Sequence, residues 1–122
     1  MMAVGLEDLR KGDLILVKWI DASDVKASLR EHEAYPETHV KDWGLFLGVS
    51  GRKHRLIIVG KDVTEMKNDW GATRIPLEMV YEIILLMPRE QVVEQIEEVR
   101  NIGRRVRLRK HRRENYSRVS VA

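Results

Sequence analysis

Between Leu14 and Leu86 the apolar residues arrive in short, β-branched runs. Each run is cut off by glycine, proline or a cluster of polar turn formers before it reaches the length of a stable helix. That spacing disfavours a helical bundle and predicts a small antiparallel β structure. The first run, Leu14 to Ile20, is launched by Lys11, Gly12 and Asp13 and closed by Asp21 to Asp24. The second, Trp43 to Val49, and the third, His54 to Val59, flank Ser50, Gly51, Arg52 and Lys53. They predict a hairpin in which Gly51 takes a positive φ. A short fourth strand spans Gly71 to Ile75, and Pro76 to Met79 is a tight turn, because proline presets φ and cannot donate to a ladder. The fifth strand, Val80 to Leu86, stops at Pro88. The stretch 22–35 reads as a short helix or long loop, and 60–69 as a polar loop.

One long strand, a hairpin and two strands joined by a tight turn is the winding of a five-stranded small barrel, in which closure removes exposed edges. The expected fold class is therefore mainly β (α+β), with Gly48 and Gly60 at bends of the barrel. Alternation along the strands predicts a core of Ile15, Val17, Trp19, Leu45, Leu47, Ile57, Val59, Ile75, Val80, Ile83 and Leu85.

The run from Gly71 through Ile75, Pro76 and Val80 to Ile83 resembles the second half of an Sm-like fold. Val17, Trp19, Asp21 and Ala22, then Gly44 to Leu47, then Ala72, Thr73, Ile75 and Pro76, are similar to small uncharacterised proteins of phages and other prokaryotic mobile elements. The likeness covers about residues 13–86 and implies an Sm-like barrel. An Sm-type uridine pocket has an Asp and an Asn around the central hairpin. This chain has Ser50, Gly51, Arg52, Lys53 and His54 there, so the resemblance implies no site residues.

After Pro88, Val92, Ile96, Val99 and Val106 recur at spacings of four, three and seven, with Val93 and Ile102 widening the stripe. This predicts an amphipathic helix over 88–103, entered at Pro88 and ended at Gly103. The stripe either packs on the barrel or, through Val92, Ile96 and Val99, forms a self-association seam of a homo-oligomer. The domain plan is then a barrel over 1–87, a helix over 88–103 and a basic tail over 104–122.

Charge separates sharply along the chain. Residues 100–122 hold nine Lys/Arg and one acid, a balance of +8, against 13 Lys/Arg and 18 acids before them, a balance of −5. Such asymmetry points to a polyanionic partner. Arg104, Arg105, Arg107, Arg109, Lys110, Arg112 and Arg113 would supply the main phosphate-binding surface, and Arg52, Lys53 and Arg55 on the hairpin a second. The expected function is a non-enzymatic nucleic-acid-binding accessory or architectural role, with DNA or RNA as partner. The alternative is a protein–protein adaptor whose barrel and helix self-associate and whose tail docks an acidic partner.

Signals for chemistry are sparse. There is no cysteine, so thiolate nucleophiles and thiolate metal sites are excluded. His32 and His39 with Glu31, Glu33 and Glu37 lack metal-ligand spacing and read as loop residues, and no cofactor is expected. Asp21 with Asp62 or Asp69 is a minor third reading, as a divalent-metal nuclease site. Trp19 is expected in the core, while Trp43 and Trp70 either pack over the barrel mouth or stack on bases at one rim. The N-terminus carries acids early and lacks a long apolar core, and the longest apolar run, Ile83 to Met87, is too short to cross a bilayer. These features predict a soluble, cytoplasmic protein without membrane contact. The charge-rich, cysteine-free composition is compatible with a thermophilic source.

Overall fold

The computed structural model describes residues 1–21, 38–65, 67–103 and 105–110. Six strands form one antiparallel sheet: β1 (Met2–Ala3), β2 (Leu14–Asp21), β3 (Thr38–Ser50), β4 (Leu56–Thr64), β5 (Asp69–Pro76) and β6 (Val80–Met87). Their order across the sheet is β1-β6-β2-β3-β4-β5. All five expected strands are present as β2 to β6. β3, β4 and β5 run well past their apolar runs, because polar residues continue the ladders. Asp62, Val63 and Thr64 pair with Gly71, Trp70 and Asp69, so the expected loop at 60–69 is instead the tip of a longer hairpin. Asn68 turns that tip with a φ of 56°.

The expected barrel does not close. β5 and β6 are joined by a single 3-10 turn, Leu77–Met79, yet they share no ladder and lie far apart in the strand order. The edge that β6 would offer to β5 is taken by the N-terminus: Met2 pairs with Leu85, Ala3 with Ile84, and the Val4 amide donates to the Ile83 carbonyl at 2.9 Å. On β5, the opposite edge, Trp70 exchanges two backbone hydrogen bonds with Arg107 and Arg109 in a parallel bridge to Leu108. Both edges are thus blunted by segments from the chain ends, which is another solution to the problem that closure solves.

The sheet has a core on each face. The first holds Ile15, Val17, Phe46, Ile57, Val59, Ile75 and Ile83, with Val4, Leu6 and Leu9 of the N-terminal segment packed against it. Here the expected alternation holds, and half-buried Trp19, Val80 and Leu85 join the cluster's edge. The second holds Leu45, Leu47, Ile58, Trp70, Val92, Val99 and Ile102. Leu45 and Leu47 are therefore buried as expected but on the other face, and Phe46 takes the first-core position. A bulge between Phe46 and Gly48 shifts the β3–β4 register, and a second falls between Gly60 and Asp62. Both anticipated bend glycines thus sit at register shifts. A Cβ on Gly60 would also lie 2.9 Å from Leu47 Cδ1 and 3.1 Å from Trp70 Cε3, so glycine there makes room for the second core.

The second core is roofed by the segment after Pro88, and that segment is not the continuous helix the periodicity predicts. It forms one α-helical turn, α1 (Arg89–Val92), and then a 3-10 stretch, Glu97–Asn101. Val92, Val93, Ile96, Val99 and Ile102 are all β-branched and resist a long α-helix. In a 3-10 stretch residues three apart eclipse, so Val99 and Ile102 land on one face and both become buried.

Asp13 fastens this roof to the sheet. It is 2% exposed, its Oδ2 accepts the Arg10 amide at 2.8 Å and its Oδ1 accepts the Arg89 amide at 2.8 Å. The Arg89 guanidinium then donates to the Lys11 carbonyl at 2.7 Å and reaches the Arg100 carbonyl at 3.4 Å. Outside this buried hub, Arg10 pairs with Glu90 at 2.6 Å. That pairing holds the Glu90 carboxyl at about 2, first through the hydrogen bond from Arg10, then through its own backbone amide and the positive charge of Arg10 and Arg89.

Candidate functional site

The basic segment begins where the roof ends, and its first described residues are pinned to the sheet. The Trp70 amide donates to the Arg107 carbonyl at 2.9 Å, and the Arg109 amide donates to the Trp70 carbonyl at 2.8 Å. Between them Leu108 turns toward the second core, as does Val106. Alternation then sends Arg107 and Arg109 outward, each beside an aspartate of the body. Arg107 Nε lies 2.8 Å from Asp69 Oδ1, and Arg109 pairs with Asp62. Arg105 and Lys110 are exposed, and their side chains have no partner among the described residues. Arg104, Arg112 and Arg113 lie outside the described residues.

The hairpin cations are elsewhere. Arg52, Lys53 and Arg55 are exposed at the β3–β4 turn, which Gly51 makes with a φ of 92°. A Cβ on Gly51 would sit 2.2 Å from the His54 carbonyl oxygen, so only glycine fits. The ladder places Leu56 opposite Pro76 at this end of β4 and Val63 opposite Trp70 at the other. Seven residues of strand therefore separate the hairpin from the tail dock, a span of roughly 23 Å. The structure does not merge the two predicted cationic surfaces into one patch.

Near the tail dock lies a groove of about 400 Å³, lined by Leu45, Val63 and Ile96, by Trp43 and Trp70, and by Lys61 and Asp62. The two tryptophans that sequence reading paired do line one groove, but unequally: Trp70 is 2% exposed and belongs to the second core, while Trp43 is 62% exposed. Lys61 Nζ sits 5.6 Å from the Trp43 ring centroid and also bonds Asp42 and the Trp43 carbonyl. This Asp42–Trp43–Lys61 cluster has no motif in the sequence. It forms because β4 continues past Gly60 into polar residues, carrying Lys61 alongside β3.

Val92 and Val99, named as a self-association seam, are buried in the second core, and Ile96 is half-buried along the groove. Asp62 and Asp69 are engaged by the tail arginines, while Asp21 closes β2 opposite Thr38, well away along the sheet. Among the described residues no group of three His, Asp or Glu side chains could hold a metal ion. His39 instead meets Tyr81 edge-on, with ring centroids 5.6 Å apart. His32 lies outside the described residues, as do Glu31, Glu33 and Glu37. No described helix is long and apolar enough to cross a membrane. No protein-family model matches the chain, and no curated protein or solved structure is significantly similar to it.

Proposed function

We propose that the chain is a non-enzymatic nucleic-acid-binding accessory protein that engages phosphates through its basic C-terminal segment. The observation that supports this best is the partition of charge, +8 over residues 100–122 against −5 before them. Anchoring at Trp70 strengthens the reading, because a segment already fixed by its backbone loses less freedom when its arginines meet phosphates. Phosphate contacts supply affinity and register without reading sequence. The expected behaviour is salt-sensitive binding with little sequence preference. The test is fluorescence anisotropy with single- and double-stranded DNA and RNA over a range of salt. Engaging about five to seven phosphates of a duplex gives a log–log salt slope of roughly −4.5 to −6. Arg105→Ala with Lys110→Ala should flatten it by up to about 2 and weaken all sequences alike. No measurable binding at low salt would defeat the reading.

A second reading, an adaptor whose tail docks an acidic partner, is favoured by one observation: Arg107 and Arg109 hold carboxylates of the chain's own body. An acidic partner strand would offer them the same chemistry.

A further inference from the structure

We propose that the groove beside Trp43 receives an unpaired base stacked on the Trp43 indole, so that the chain prefers single-stranded over duplex nucleic acid. This rests on the phosphate-binding reading and adds a base contact to it.

The first support is the disposition of the tryptophans. Trp70 is spent on the second core and Trp19 packs against the first, whereas Trp43 is 62% exposed on a strand whose neighbours Gly44 to Leu47 are all buried. A solvated indole contributes little to that core. The second is the recess next to it. At about 400 Å³, it falls within the roughly 300–1,000 Å³ of small-ligand sites and is walled by Leu45, Val63, Trp70 and Ile96. The third is charge. Lys61 already lies 5.6 Å from the ring centroid, and Asp62, another lining residue, holds Arg109 of the tail.

An aromatic face and phosphate-seeking cations are therefore juxtaposed on the scale of one nucleotide. A duplex keeps its base faces stacked within the helix and offers an indole nothing. A single strand presents base faces and phosphates together, which is the pairing that stacking platforms use. The groove is not purely cationic, since Asp42 holds Lys61 and Asp62 holds Arg109. Binding is then an exchange of carboxylate for phosphate. It keeps both cations positioned beforehand. A free nucleotide shares this chemistry, but Arg105 and Lys110 extend the cationic track beyond the groove, which favours a strand.

The test measures the intact chain, Trp43→Ala and Trp43→Phe against a short oligothymidylate, a duplex of equal length and thymidine monophosphate. Trp43→Ala should lower the ratio of single-strand to duplex affinity by roughly 5- to 100-fold, and Trp43→Phe should restore most of it. The oligothymidylate should also quench a fluorescence signal that Trp43→Phe lacks. Thermal melts confirm that both variants fold. An unchanged affinity ratio in Trp43→Ala, with binding by the parent intact, overturns the base contact while leaving the phosphate reading standing. Monophosphate binding as tight as the oligomer's overturns the choice of a strand. A parent that binds neither polymer overturns both readings.

Discussion

The face of the sheet that carries Ile57 and the face that carries Ile58 are covered in different ways. The first is filled from β2 to β6 themselves and topped by Val4, Leu6 and Leu9. The second is filled from β3, β4 and β5 but roofed by Val92, Ile96, Val99, Ile102, Val106 and Leu108, most of which lie outside α-helix and strand. A strand can alternate apolar and polar only if one of its faces is wet. Because both faces of β3 and β4 are covered, Leu45-Phe46-Leu47 and Ile57-Ile58-Val59 read as unbroken apolar runs. Such runs announce a strand but conceal its parity. The difference also has an energetic side: the first face is held by ladders and packing, the second by packing plus the hub at Asp13.

Two core truncations test whether the faces are one cooperative unit. Ile57→Ala empties part of the first core, where Ile57 has no exposure, and should cost about 2–5 kcal/mol. Val99→Ala removes a smaller group from under the roof and should cost on the order of 1–2.5 kcal/mol. Urea melts followed by tryptophan fluorescence and by far-ultraviolet circular dichroism should coincide for both variants if the faces unfold together. Separate transitions for Val99→Ala alone would show the roof to be an independently melting layer.

Asp13 is where the two faces can be uncoupled with one change. Asp13→Ala leaves the amides of Arg10 and Arg89 without their acceptor in a part-buried site and should destabilise by roughly 1–3 kcal/mol. Hydrogen exchange should then rise most in residues 89–102 and least in β2 to β4. Uniform loss of protection would mean that Asp13 supports the whole sheet and not the roof in particular.

Strands β2 to β6, the hairpin at Gly51 and most of the first core were legible from the sequence, because local pattern dictates them. The rest depended on contacts between residues distant in the chain. Two residues, Met2 and Ala3, are too few to announce an edge strand, yet they take the position that closure would have used. The stripe of Val92, Val99 and Ile102 was visible, but its β-branched composition breaks the α-helix that its spacing suggests. The tail's cations were plain, and their partners Asp62 and Asp69 were not, since nothing local links them to Arg109 and Arg107. The exposure of Trp43 beside a buried Trp70 needed the β4 extension to become apparent.

Those two ion pairs give a third test of how firmly the basic segment belongs to the second face. Arg107 and Arg109 are both exposed, so Asp62→Asn with Asp69→Asn should change stability by no more than about 1 kcal/mol for each pair. The backbone bridge at Trp70 and the packing of Val106 and Leu108 remain. On the proposed function, phosphate affinity should rise, because two competing carboxylates have gone. Measured at one salt concentration against one oligonucleotide, an unchanged affinity would place Arg107 and Arg109 outside the phosphate contacts. A large loss of stability would instead make the pairs the principal anchor of the tail.

The smallest effect is expected at the solvent-facing end of the roof, where Glu90 meets Arg10. Its carboxyl is held at about 2, below the ordinary 4.5, chiefly by the hydrogen bond from Arg10. A depressed carboxyl favours the fold in its charged form. The contribution is therefore complete above about pH 4.5 and disappears as pH falls through about 2. Glu90→Gln lacks this linkage, so the gap between its melting temperature and that of the parent should be constant from neutral pH to about 5 and close between there and 2. Both partners are solvated and screened by salt, so the gap should shrink further in concentrated chloride. A gap that persists at pH 2 would assign the stabilisation to packing of the Glu90 side chain instead of its charge, and the roof's outer clasp would then be independent of pH.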